Sequence, residues 1–408
     1  MPLFQYVARN VQNQPVRGVA EATSAAVAAR MLREQGLTPV SIEMGSAAAA
    51  RAARRRRGKG GRVKIDDLAV FSRMLATMIR AGLPLIEVIN ILSEQADKRR
   101  LKDALAQAER DVQGGSSFTE ALQRHPTIFS QFFISMVRAG EASGMLDTIL
   151  DLVAIYLEKT ASIQRKIRSA LTYPTVVGTF ALLMTFVLVT KVVPQFEQIF
   201  EELESGLPLM TKVTVAVSRF ASARWYLMIL GIAGLIAGAW AMKRTPQGER
   251  AYDRLKLKLP VFGPLLLKVA VARFSRTLSV LVRAGVNILS ALDIVANTSG
   301  NSLIRDAVLK TRASIQSGET LAKPLIDAGV FPPMVTRMVD VGERTGALET
   351  MLSKVADFYE DQVDATVGML MSLIEPLMII FLGVIVGFVV ISMFLPLFKM
   401  IEVLGAEG

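Results

Sequence analysis

The sequence predicts a mainly α-helical integral membrane protein with two repeated cytoplasmic helical bundles, three transmembrane helices and a small N-terminal α/β domain. Three observations predict it. Uncharged apolar stretches run over Ser169–Thr190, Trp225–Met242 and Pro376–Phe398, with 22, 18 and 23 residues. As helices they would be about 27 to 34 Å long, close to a hydrocarbon core of about 30 Å. The chain also repeats itself: "FSRMLATMIRAGLPLIEVINIL" from Phe71 is echoed by "FSRTLSVLVRAGVNILSALDIV" from Phe274, an offset of 203. Finally, residues 3 to 44 alternate polar and apolar positions in a way the rest does not.

In chain order, residues 1–44 form the small α/β domain. "LFQYVA", "VRGVAEA" and "TPVSIE" read as strands, and "SAAVAARMLREQG" reads as a short helix stopped by Gly36. Residues 45–64 form a basic flexible linker. Seven basic residues and no acid occupy 45–62, and removing them leaves +4 of the chain's +11. With no aromatic side chain to stack on a base, the run fits an anionic lipid leaflet better than nucleic acid.

Residues 65–168 form the first bundle. Leu68, Phe71, Leu75, Met78 and Ile79 share one helical face, and "AGLP" breaks the chain at Gly82. Leu85, Val88, Ile89 and Leu92 resume the stripe after Pro84, which suits a first helical turn. Leu146, Ile149, Leu150, Val153 and Leu157 form another. Residues 169–193 are the first span, 194–224 an extracytoplasmic loop and 225–242 the second span, whose length also suits a buried core helix. Residues 243–372 form the second bundle, where Leu348, Met351, Leu352, Val355 and Tyr359 repeat the last stripe. Residues 373–398 are the third span and 399–408 a short extracytoplasmic tail. Lys159, Arg165, Lys166 and Arg168 precede the first span, and six Lys or Arg follow the second, from Lys243 to Lys258. The loop between carries Glu197, Glu201, Glu202 and Glu204, so both bundles and the N-terminus are expected in the cytoplasm. The first twenty residues lack a basic segment followed by an apolar core, which argues against a cleaved signal peptide.

Duplicated residues are the candidate functional positions. "MVRAGEASGMLDTIL" at 136–150 returns as "MVDVGERTGALETML" at 338–352. The expected reading is a turn between two amphipathic helices. Gly140 and Gly144, with their twins Gly342 and Gly346, would supply the backbone angles. Glu141 and Glu343 would anchor the turn, Glu141 by bridging to a basic neighbour such as Arg80. Ser143 would cap the next helix, with Asp147 near its positive end. Two copies in equivalent settings point to packing rather than catalysis, because a catalytic pair needs unlike environments. Arg80 with Gly82 and Arg283 with Gly285 form the twin Arg-Ala-Gly turns. Pro174 and Pro376 would kink helices running from bundle to bilayer without ending them. Glu375 is the one acid at the rim of a span, suited to an interfacial contact more than to a proton relay.

Composition excludes much else. The chain has no Cys, so thiolate sites are absent, and its one His, His125, removes most zinc sites and His-based triads. It holds no GxxxxGK[ST], HExxH or GxSxG segment, so no catalytic, cofactor-binding or metal residues are expected. A transporter is a rival reading, since repeats and spans are common there, but the spans are few and uncharged and the bulk lies outside them.

The twin GExxG turns, the twin Arg-Ala-Gly turns, and the Pro-started spans ending in "VPQF" and "LPLF" resemble the type II secretion F family. "KVAVARFSRTLSVLVRAGV", "FPPMVTRMVDVGERTGALE", "FYEDQVDATV" and "EPLMIIFLGVIVGFVVISMFLPLFKM" look most like its type IV pilus branch. The likeness covers essentially the whole chain; the Arg-rich linker is its least family-like part. It implies a non-enzymatic platform in the bacterial inner membrane and a homo-oligomer. The implied partners are a hexameric assembly ATPase, a retraction ATPase on the same platform, pilin subunits and inner-membrane alignment proteins. The platform of a type II secretion system is the alternative the same likeness allows.

Overall fold

The computed structural model describes residues 3–9, 15–21, 25–34, 37–44, 61–196, 209–260 and 262–406. Gly36, the basic run 45–60 and the acids Glu197, Glu201, Glu202 and Glu204 lie outside the described residues. The chain divides into two units, residues 1–63 with 90–107, and residues 64–89 with 108–408.

In the smaller unit, β1 (Leu3–Arg9) pairs antiparallel with β2 (Pro15–Glu21) and with β3 (Thr38–Met44), in the order β2-β1-β3. The β1–β3 register shifts between Val7 and Ala8. Helix α1 (Ala25–Glu34) lies between β2 and β3 in sequence, and its Ala28 and Leu32 are buried, as is Ala8 of β1.

From Ile65 onward the chain writes one helical plan twice. Helix α2 (Ile65–Arg80) opens with Asp66 and Asp67, and the Lys64 N–H donates to Asp67 Oδ2 at 2.8 Å. It stops where Gly82 takes φ +87°, a left-handed angle that costs glycine no Cβ clash. Then follow α3 (Leu85–Gln95), α4 (Arg99–Gln113), α5 (Phe118–Gln123), α6 (Gln131–Ser143) and α7 (Leu146–Val187). A π-helical turn, Leu188–Val192, continues α7 toward Phe196. After α8 (Leu209–Met242) and α9 (Pro246–Lys258) the plan restarts. Helices α10 (Phe262–Arg283), α11 (Ile288–Thr298), α12 (Ser302–Gln316), α13 (Ala322–Asp327), α14 (Pro333–Thr345) and α15 (Leu348–Ala406) match α2 to α7 in order. Gly285 repeats the left-handed stop at φ +74°.

The predicted stripes face inward: Phe71, Leu75, Ile149, Leu150, Val153, Leu352 and Val355 are buried. Phe71, Phe129 and Phe133 cluster in the first bundle, with Phe129 and Phe133 centroids 5.3 Å apart. Phe274 and Phe331, 4.7 Å apart, are the second bundle's smaller version.

Helices α7 and α15 are long and apolar enough to cross a membrane. Both run unbroken through their prolines, Pro174 in α7 and Pro376 and Pro396 in α15. The expected boundaries between bundle and span, at 168 and 372, therefore fall inside continuous helices. At 1.5 Å per residue α15 is about 88 Å long, far more than a bilayer needs. Residues 225–242 lie in α8, past a non-helical Arg224 (φ −131°, ψ 29°). The segment expected as a loop, 194–224, turns helical at Leu209. Thr211, Thr214 and Ser218 are buried, while Met210, Val213, Val217 and Phe220 are exposed. Val215 is buried as well and packs with Val193, Val389 and Met393, while Lys212 and Arg219 are exposed.

Candidate functional site: two carboxylate clasps and the seam between the repeats

The repeated phrase is a helix-capping device. The Glu141 carboxylate accepts from the Phe118 N–H at 2.7 Å, the Thr119 N–H at 3.0 Å and the Thr119 hydroxyl. Ser117 Oγ takes the next amide, that of Glu120, at 3.1 Å, while the Glu120 carboxylate accepts from the Ser117 N–H at 3.2 Å. The free amides at the start of α5 are thus satisfied, two of them by a charge from another helix. In the second repeat Glu343 accepts from Leu321 N–H at 2.8 and 2.9 Å and from Ala322 N–H at 3.2 Å, at the start of α13. A six-residue helix has little cooperative stability of its own, so a buried-side carboxylate fixes where it starts.

Three expectations are corrected here. Glu141 does not bridge to Arg80: the Arg80 guanidinium pairs with Asp151 at 2.9 Å, and Arg283 approaches Glu349 at 3.9 Å. Gly140 and Gly342 are not turn residues but buried members of α6 and α14. A Cβ on Gly140 would stand 3.1 Å from Leu146 Cα, and one on Gly342 would stand 2.9 Å from Leu348 Cα. Their smallness lets α7 and α15 cross close. Only the second glycine of each phrase is a turn residue, Gly144 at φ +70° and Gly346 at φ +69°. Ser143 belongs to α6 and donates back to the Ala139 carbonyl at 2.8 Å, accepting only a 3.4 Å contact from Met145 N–H, so it does not cap α7. Asp147 does lie in the first turn of α7.

Six residues outside the expected set form two charged clamps. Arg73 of α2 holds Glu158 of α7 with Nε and Nη2, both at 2.7 Å, and Asp151 with Nη1 at 2.6 Å. Arg276 of α10 holds Glu360 of α15 with Nε at 2.8 Å and reaches Asp357. The hydrogen bond from Arg73 holds the Glu158 carboxyl below its ordinary range against the opposing effect of burial. Arg276 is carried above its ordinary value by Glu360 and Asp357 although burial alone would lower it. The signal was present: "FSR" repeats with its arginine, and Glu158 and Glu360 are 202 apart.

Glu360 also reaches across the repeats. Lys159 of α7 lies 3.4 Å from its Oε2, Lys166 pairs with Asp364, and Thr277 Oγ1 sits 3.2 Å from the Tyr156 hydroxyl. A cavity of about 20 Å³ lies in this seam, lined by Tyr156, Lys159, Arg276 and Glu360 among others. Next to it Ala170, Leu265, Val363, Val367 and Leu370 close an apolar cluster. At the far ends Thr211 Oγ1 donates to the Ser392 carbonyl at 2.7 Å and Ser392 Oγ to Thr214 Oγ1 at 2.7 Å. Ser218 Oγ donates to the Val189 carbonyl in the π turn at 2.6 Å. The two long helices are therefore clamped at the bundle end and tied through α8 at the other.

Pro174, Glu375 and Pro376 lie on these long helices away from the clasps, and Glu375 is exposed. Among the described residues no group of three or more His, Cys, Asp or Glu is placed to hold a metal ion.

The family profile "Type II secretion system (T2SS), protein F" matches twice, over residues 71–194 and 274–396. The "Type II secretion system protein F, N-terminal domain" profile matches residues 1–43. "Type IV pilus assembly protein PilC" of Thermus thermophilus is 50% identical over 412 residues, spanning 100% of both chains. The Myxococcus xanthus protein of that description is 40% identical over 97% of this chain and 94% of its own. "Type II secretion system protein F" of Pseudomonas aeruginosa is 32% identical over 99% of this chain and 100% of its own. The two matches to one profile coincide with the two copies of the helical plan, and this chain belongs to the type II secretion system protein F family.

Proposed function

We propose that this chain is the inner-membrane platform of type IV pilus assembly. In this reading it couples a cytoplasmic hexameric ATPase to the insertion of pilin subunits into the fibre, or to their removal when a retraction ATPase takes the same place. The observation that carries the reading is the continuity of α7 and α15 from the Arg73 and Arg276 clamps, through Pro174 and Pro376, into apolar stretches. A helix clamped at one end transmits displacement or torque along its axis, where a flexible loop would absorb it. The full-length likeness to pilus assembly proteins at 50 and 40% identity, against 32% for a secretion protein, favours the pilus. The platform of a type II secretion system is the second reading, supported by that 32% relative. Deleting the gene is expected to remove pili and leave secretion of folded exoproteins intact; loss of secretion with normal pili would favour the second reading.

The finer topology belongs to the same proposal. Three spans, near 169–193, 225–242 and 373–398, place the N-terminus, residues 65–168 and residues 243–372 in the cytoplasm. Inner-membrane alignment proteins and further copies of the chain complete the assembly. Topology reporters fused after Arg62 and Arg254 are expected to read cytoplasmic, and one at Ser205 extracytoplasmic. A cytoplasmic signal at Ser205 would remove the three-span arrangement.

A further inference from the structure

Helix α9 precedes the second copy of the plan, between α8 and α10. It is clamped to α12 along one side. Glu249 forms a two-pronged pair with Arg305 at 3.1 and 2.9 Å, and Arg250 pairs with Asp306 at 2.8 Å. The buried Asp253 carboxylate accepts from the Ser302 N–H at 2.8 Å, at the start of α12. Both acids of α9 are therefore spent on the bundle. At 100° per residue the opposite side carries Ala251, Arg254, Leu255 and Lys258, all exposed and with no acid among them. Arg254 and Lys258 have no ion-pair partner among the described residues. Arg254, Arg250 and Lys310 edge an open groove of about 770 Å³. The apolar part of the face continues past the helix: Leu255 is 59% exposed, Leu259 44%, Phe262 40% and Leu266 38%.

Both ends of α9 lie within a few residues of positions where apolar stretches begin. Its start follows Met242 by four residues, and Lys243 and Arg244 in that link stack on Tyr252 and Trp240 at 4.4 and 3.8 Å. Its end leads into α10, where Leu265 packs on Ala170 and Leu370. Ala170 is the second residue of the first uncharged stretch, and Leu370 is about 9 Å of helix before Pro376. A helix whose two ends both sit where apolar spans begin must run along that boundary rather than away from it.

The geometry points to α9 as a membrane-surface helix whose Arg254–Leu255–Lys258 face docks on anionic phospholipid headgroups of the inner leaflet. The inference rests on the proposed topology, in which residues 225–242 cross the membrane and 243 onward is cytoplasmic. Basic side chains beside exposed leucines match a negatively charged headgroup layer over an acyl boundary. The face would brace the second bundle against the bilayer.

The test uses the full chain in lipid nanodiscs. The protein has no cysteine, so Leu255→Cys and Leu235→Cys each give one labelling site for an environment-sensitive dye. Nanodiscs contain phosphatidylcholine with or without phosphatidylglycerol, plus a spin-labelled lipid carrying its quencher at the headgroup or in the acyl chain. The expected result is headgroup quenching at position 255 that is strong with phosphatidylglycerol and weak without it. Adding Arg254→Glu and Lys258→Glu, both at exposed positions, is expected to bring the first value down to the second. Position 235 is expected to be quenched by the acyl-chain probe in every case. An unquenched 255 beside a quenched 235 overturns the surface helix and leaves the span standing, and would fit a groove that receives an acidic protein segment instead. Quenching at 255 that ignores lipid charge and both glutamates overturns the anionic specificity. An unquenched 235 overturns the span and this inference together.

Discussion

Replacing Arg276 with alanine is expected to be the most damaging single loss of charge in the chain. Its side chain is 12% exposed and that of Glu360 10%, so the substitution strands a carboxylate with little access to water. Removing one partner of a buried pair typically costs about 3 to 5 kcal/mol. Lys159, 3.4 Å from the other Glu360 oxygen, offsets part of that. The twin variant Arg73→Ala is the internal control. There the side chains of Arg73 and Glu158 are 37 and 43% exposed, so water replaces much of what is lost, and exposed pairs are worth roughly 0 to 1 kcal/mol. Thermal unfolding of the full chain in detergent is expected to show a clearly larger drop for Arg276→Ala than for Arg73→Ala. Equal drops would mean that burial of the second clamp does not set its strength.

Gly342→Val is the second large effect. An ordinary Gly→Ala change inside a helix stabilises by roughly 1 kcal/mol. At position 342 the sign should reverse, because the new Cβ would stand 2.9 Å from Leu348 Cα and 3.1 Å from Met351 Cβ. Backbone cannot step aside as a side chain can, and overpacking of this kind costs about 1 to 3 kcal/mol, more for a branched residue. Gly346→Val comes next, since its left-handed angle costs an L-residue roughly 1 to 2 kcal/mol. Glu343→Gln is mildest. It keeps the acceptor oxygen and gives up only the difference between a charged hydrogen bond, about 1.5 to 3 kcal/mol, and a neutral one near 1. The expected order of damage, to melting temperature and to pilus number alike, is Gly342→Val, Gly346→Val, Glu343→Gln. A well-folded Glu343→Gln protein without pili would reverse it and make Glu343 a functional carboxylate.

The repeats, the long apolar stretches and the inward stripes were legible because each is a local or self-similar pattern. The role of Gly140 was not. A glycine before a break looks the same in sequence whether it supplies a left-handed angle, as Gly144 does, or room for a neighbouring backbone. Glu141 was rightly singled out for its duplication but given the wrong partner, because its partners are backbone amides, which every residue has. The Arg73–Glu158 pair spans 85 positions, so no window could show it, although comparison of charges between the repeats would have. The start of α8 is not legible because Lys212, Arg219 and Arg224 end the uncharged stretch at Trp225, whereas the helix itself begins at Leu209.

In the proposed function a stiff connection between bundle and membrane does the coupling. It can be tested where α15 leaves the second bundle. Met369, Met371 and Ser372 are exposed there, just before Pro376. Changing all three to glycine weakens the helix by roughly 1 kcal/mol per position relative to alanine, while both triple variants lose the same exposed side chains. The measurement is pilus number in cells carrying each variant, beside stimulation of the assembly ATPase by the purified chain in proteoliposomes. The chain alone is expected to hydrolyse no ATP, and both variants to insert and to stimulate the ATPase. The alanine variant is expected to make pili and the glycine variant few or none. Equal piliation by the glycine and alanine variants would contradict it.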